Sequence, residues 1–202
     1  MQPDFNRRLL LTAAAGTAAV AGFNSSPLFA AAHSAGAPLS RDMLYSTSPQ
    51  ATALQGEAAD RVAIRALIDA WAHYADRRLA EKQAALFTEN GGYSIYNAEP
   101  AHSQPVSSRH GRAQIVAALA TLNQFVHTTH FNGQSAIAIK GDRAIGESYC
   151  LAHQLHEVNG QRTLQLLSIR YYDDFVRVNG QWLFAERQLI IDWSDTRPSA
   201  ES

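Results

Sequence analysis

The hydrophobic period of this chain changes once, and that change constrains the fold more than any other feature. From Thr128 onward apolar residues recur at every second position, and three turn signals, Gly141-Asp142, Asn159-Gly160 and Asn179-Gly180, divide the stretch into four runs. A period of two sets alternate side chains on opposite faces of an extended strand. An Asn-Gly pair suits a two-residue hairpin turn whose central residues both need positive φ. The pattern predicts four long strands in an antiparallel meander, over about 128 to 140, 143 to 157, 162 to 177 and 181 to 192.

Ahead of the switch the period is helical. From Asp60, the residues Ile64, Leu67, Ile68, Trp71 and Ala75 recur along one face, with Arg61, Arg65 and Asp69 off it. A second short helix is expected over Ala80 to Phe87, ended by Asn90-Gly91-Gly92, whose glycines suit a helix C-cap. Tyr93 to Tyr96 reads as a strand, Asn97 to Arg109 as a loop with two prolines, and Gly111 to Leu122 as a third helix. Helices first and antiparallel strands second imply an α+β fold, a cone-shaped barrel of a curved, mainly antiparallel sheet wrapped around the N-terminal helices.

The first residues read as an address. Arg7-Arg8 precedes the small, moderately apolar run Thr12 to Gly22, and Ala30-Ala31-Ala32 offers a cleavage region. The expected organisation is an export signal of twin-arginine type over 1–32, a flexible linker over 33–56, the folded domain over 57–196 and a tail over 197–202. The arginine pair also fits the basic start of a general secretory signal. The apolar run is shorter than the ~20 residues of a membrane span, so no permanent membrane anchor is expected, and the mature protein is expected to be periplasmic or secreted. A net charge of −1 with 17% charged residues offers no polybasic field for nucleic acid. The single cysteine, Cys150, excludes an internal disulfide framework and falls in an alternating run as a packed thiol.

Three groups of residues resemble one family. They are Asp60-Arg61-Val62-Ala63-Ile64-Arg65-Ala66-Leu67-Ile68 followed by Tyr74-Ala75-Asp76-Arg77-Arg78 and Leu86-Phe87-Thr88-Glu89-Asn90; Thr129-His130-Phe131-Asn132-Gly133-Gln134 with Gly141-Asp142-Arg143-Ala144; and Gly180-Gln181-Trp182-Leu183-Phe184-Ala185-Glu186-Arg187. In order and spacing they are similar to SnoaL-like proteins of the nuclear transport factor 2-like superfamily, over about 57 to 194. The resemblance implies a cofactor-independent lyase or isomerase, related to dehydratases and dehydrochlorinases that pair an Asp at the end of the first helix with a His on the following long strand. Asp76 and His130 match those positions. Several such relatives carry a Tyr five residues before the Asp, where this chain has Trp71. The same fold also hosts non-catalytic binders.

An imidazole paired with a carboxylate meets the need of an elimination for a base that works near neutral pH. Asp76 is the expected orienter and His130 the expected base. The competing reading leaves Asp76 solvated at the helix end beside Arg77 and Arg78, and His130 satisfied within the sheet. Strand alternation places Asn132, Gln134, Ala136 and Ala138 on the His130 face, and Tyr149 with His153 on one face of the next strand. Arg170 is expected either to enter the cavity as an anion binder or to pair with Asp173 or Asp174. Trp71, Tyr74 and Tyr96 complete the candidate substrate-binding or acid groups. No metal site is expected, because His127 with His130 and His153 with His156 are three apart in strands and face opposite sides. No phosphate-binding glycine loop and no Gly-x-Ser-x-Gly elbow occurs, so no cofactor is expected. The expected partners are a small hydrophobic molecule and a second copy of the chain, the latter through an exposed sheet face carrying Ile137, Ile139, Leu167 and Ile169, which could equally cover the helices.

Overall fold

The computed structural model of the chain describes residues 55–200. The expected export signal and nearly all of the linker lie outside the described residues. Helix α1 (Gly56–Asp76) buries Ile64, Leu67, Ile68, Trp71, Tyr74 and Ala75 along one face, the stripe its spacing predicts. Burying each of its large aliphatic side chains contributes roughly 1.5–3 kcal/mol. The helix ends in two backbone bonds of the Schellman type: Arg78 N–H donates to Ala75 O at 3.1 Å and Leu79 N–H to Tyr74 O at 2.9 Å. The residue that reverses the chain there is Arg78, at φ +59°.

A short helix α2 (Ala80–Ala84) follows, then strand β1 (Phe87–Tyr96), strand β2 (Ser107–His110) and helix α3 (Arg112–Leu119). Strands β3 (His127–Lys140), β4 (Arg143–Val158), β5 (Gln161–Val178) and β6 (Gln181–Pro198) form the meander. The six strands make one sheet in the order β2-β1-β6-β5-β4-β3. All pairings are antiparallel except β1 with β6. The sheet is curved and unclosed, and its inner face packs on α1 through Cys150, Ala152, Ile169, Tyr171, Phe175 and Phe184. Among the described residues no helix is long and apolar enough to cross a membrane.

Several expectations change. The second helix stops at Ala84 rather than Phe87, and Asn90-Gly91-Gly92 lies within β1 instead of capping a helix. Gly92 lies against the Glu186 carboxylate, which would have to swing aside to admit a Cβ there. The loop before α3 contains β2, because Ser107 to His110 pairs with β1, and β6 continues through the expected tail to Pro198. The turns match expectation. Asn159 and Gly160 take φ of 52° and 74°, and Asn179 and Gly180 take 50° and 79°.

Three bulges set the faces of the long strands. In β3 the register with β4 shifts between Asn132 and Ser135. In β6 it shifts against β5 between Phe184 and Glu186, and again at Asp192. Each inserts one unpaired residue and inverts the alternation beyond it. Ile137 and Ile139, expected opposite His130, therefore share its face and pack against the core with Leu167 and Ile169. Gln134, Ala136 and Ala138 leave that face. The reading in which the four aliphatic residues cover the helices is the one the structure adopts.

Candidate active site

Asp76 is the last residue of α1, and the turn at Arg78 leaves its side chain facing β3. Asp76 Oδ1 lies 2.7 Å from His130 Nδ1, and Asp76 Oδ2 accepts the His130 backbone N–H at 2.9 Å. The Thr128 hydroxyl donates to Oδ1 at 3.0 Å. A carboxylate only accepts hydrogen bonds, so the ring presents its Nδ1 proton to Asp76 and leaves Nε2 unprotonated in the neutral state. Burial pushes the Asp76 carboxyl up. The bonds and charge from His130, with the Thr128 hydroxyl, outweigh burial and hold it below its ordinary 3.8. The side chains are 7% exposed for His130 and 23% for Asp76, a largely sheltered pair.

The structure separates the other candidates. Asn132 shares the His130 face, but its amide donates to Ile68 O at 3.2 Å and to Asp69 at 3.0 Å, tying the β3 bulge to α1. Arg65 Nη1 donates to Gly133 O at 2.8 Å and reinforces that tie. Trp71 and Tyr74 are buried on α1, and burial raises the Tyr74 phenol. Tyr149, His153 and Arg170 lie on the outer face of the sheet, away from His130, as does Tyr96, which is paired with Ile190. Arg170 takes neither expected place: its guanidinium binds Asp192 at 2.8–2.9 Å, with Glu99 and the Tyr172 hydroxyl beside it. The bulge at Asp192 puts that carboxylate within reach, instead of Asp173 or Asp174.

The cation of the inner face is Arg187, absent from the sequence-based set. It is fully buried, its Nε 3.1 Å from Asp173 Oδ1, and its guanidinium lies over the rings of Tyr171 at 3.8 Å, Phe184 at 4.4 Å and Trp71 at 4.9 Å. Nη1 has no hydrogen-bond partner among the described residues. Counting in twos from Phe184 points Arg187 outward, and the bulge at residue 185 turns it in. A signal was available: Arg187 stands between Phe184 and Leu189, in a stretch whose neighbouring inner positions are apolar. Cys150 is buried beside these groups, and burial pushes its thiol up to about 12, as befits a packed thiol and not a nucleophile.

Residues 56–188 match the SnoaL-like domain family. The chain belongs to that family. Similar solved structures include a protein provisionally assigned as a scytalone dehydratase from Novosphingobium aromaticivorans, 26% identical over 68% of this chain and 87% of that one, with a TM-score of 0.60. A hexachlorocyclohexane dehydrochlorinase from Novosphingobium barchaimii is 15% identical over 71% of this chain and 92% of that one, with a TM-score of 0.57. A protein from Kribbella flavida is 18% identical over 69% and 95%, with a TM-score of 0.60. The latter two likenesses show the fold alone. No curated protein matches the chain.

Proposed function

We propose that this SnoaL-like protein is a cofactor-independent lyase or isomerase acting on a small, largely apolar molecule that carries a carbonyl or a leaving group. The observation that carries this reading is the 2.7 Å contact between Asp76 Oδ1 and His130 Nδ1. His130 Nε2 removes a proton from carbon, and the Asp76 carboxylate holds the ring tautomer and balances the imidazolium. Arg187 takes the role first assigned to Arg170, a positive group on the inner face that stabilises negative charge developing on the substrate. In an elimination the C–H electron pair forms the new double bond as the leaving group departs. In an isomerisation the imidazolium returns the proton to another carbon.

The test screens small β-hydroxy carbonyl and halogenated compounds for loss of water or halide, and for deuterium uptake from solvent. Against a substrate so found, His130→Ala and Asp76→Asn should each lower kcat by about 10²–10⁴-fold. Unchanged turnover in both variants would falsify the dyad. Ligand binding without turnover in the wild type would instead return the reading of a non-catalytic binding or assembly module.

We propose also that the chain pairs with a second copy through the outer sheet face. Phe131, Leu151 and Trp193 lie in one cross-strand row there, with Phe131 71% and Trp193 51% exposed. Light scattering should give a dimer for the wild type and a monomer for Phe131→Asp/Trp193→Asp. A monomeric wild type rejects the pairing.

A further inference from the structure

Arg78 occupies a position where the backbone favours glycine. It is the left-handed residue of the α1 C-terminal turn, at φ +59°, and an L side chain there carries a steric cost that glycine avoids. Its side chain is part-buried against the strand that holds His130. Nη1 donates to Ala75 O at 2.9 Å and to Thr128 Oγ1 at 2.6 Å, and Nη2 approaches Phe125 O at 3.4 Å. A guanidinium donates and never accepts. The Thr128 hydroxyl must therefore accept from Arg78, and its one proton is directed onward to Asp76 Oδ1 at 3.0 Å.

We infer that Arg78 is a positioning residue for the Asp76–His130 pair, acting through the Thr128 hydroxyl to fix which ring nitrogen of His130 carries the proton. The inference rests on the proposed role of that pair. With the hydroxyl proton and the His130 Nδ1 proton both on Oδ1, and the His130 backbone N–H on Oδ2, Asp76 stays a carboxylate and does not take the ring proton. Nε2 is then the only basic nitrogen. The Arg78 charge also acts on Asp76 through space. This explains an arginine where glycine would sit more comfortably: from the turn its guanidinium reaches Ala75 O, Phe125 O and Thr128 together.

The test uses Arg78→Gly, Thr128→Val and Thr128→Ser in the full chain, with nuclear magnetic resonance of His130 ring nitrogens and of the Asp76 carboxyl carbon. Glycine suits the turn, so Arg78→Gly removes the side chain without opposing the backbone. In the wild type the neutral His130 ring should carry its proton on Nδ1. In Arg78→Gly the ring should become a mixture of tautomers and the Asp76 titration midpoint should rise. Thr128→Val should reproduce both changes, Thr128→Ser should restore the wild-type spectrum, and the Arg78→Gly/Thr128→Val pair should be no worse than the worse single variant. With a substrate in hand, kcat should fall roughly tenfold at unchanged KM, as for outer partners of a positioned histidine. A wild-type ring protonated on Nε2 overturns the dyad reading and this inference with it. A wild-type Nδ1–H form that persists unchanged in Arg78→Gly overturns this inference alone.

Discussion

Asp76 carries the most testable electrostatics of the candidate site. Its carboxyl is held below its ordinary 3.8 because three hydrogen bonds and the His130 charge outweigh burial. A carboxyl lowered by folding stabilises the native state fully above its unfolded value, and that contribution fades as pH falls through the folded value. Asp76→Asn should therefore cost more stability at pH 6 than at pH 3, with the cost shrinking as pH falls below the ordinary 3.8, measured as the difference in urea midpoints from the wild type. An equal cost at both pH values would show that the carboxylate interactions are not what stabilises this corner. Neither the ring contact nor the Thr128 link could be read from sequence, because both depend on how α1 docks on β3. The two positions were picked out by the resemblance to SnoaL-like proteins, since spacing alone left Asp76 as a solvated helix end and His130 as a residue satisfied within the sheet.

Among the elements, alternation misstates β3 as it does β6. The β3 bulge between Asn132 and Ser135 keeps His130 and Asn132 on the inner face and brings Ile137 and Ile139 there as well. Asn132 and Arg65 bind the bulge to α1. Deleting Gln134 removes the extra residue while leaving Ser135 opposite Ser148 and both isoleucines inward, so the variant should lose only the bulge and its tie to Arg65. The expected cost is about 1–3 kcal/mol in urea unfolding, from the charged hydrogen bond lost. A much larger cost would mean that residues 135 to 140 had been turned over instead. The hairpin turns behave differently. Asn159-Gly160 and Asn179-Gly180 adopt the positive φ that their sequence demands, because a two-residue turn is decided by the residues within it.

Across the whole molecule, the inner face is organised around a buried cation. Arg187 and Asp173 are both 0% exposed, and burial pushes the Asp173 carboxyl up to about 7 against the pull of Arg187. Arg187→Met leaves Asp173 buried without its partner and should cost about 3–5 kcal/mol at neutral to alkaline pH. With the cation gone Asp173 keeps its proton to still higher pH in the folded state. The folded form then goes on losing stability above pH 7, where the wild type has levelled off. The penalty should be smaller at pH 5 than at pH 9, and Arg187→Met/Asp173→Leu should recover most of it. A pH-independent penalty would assign the effect to lost packing over Tyr171, Phe184 and Trp71 alone.

By itself the sequence determined the apolar stripe of α1 and the four long strands with their tight turns, which follow from local period and turn chemistry that neighbouring residues settle among themselves. Asp76 and His130 were picked out only by the resemblance to SnoaL-like proteins. Tertiary structure alone decided which strand residues face α1. Every bulge inverts the alternation past it, and a bulge is fixed by cross-strand register and by side chains from another element, as Arg65 and Asn132 fix the one in β3. The bulge in β6 is why Arg187 lies inside, and the docking of α1 on β3 is why Arg78, read from the sequence only as a neighbour of Asp76, reaches His130 through Thr128.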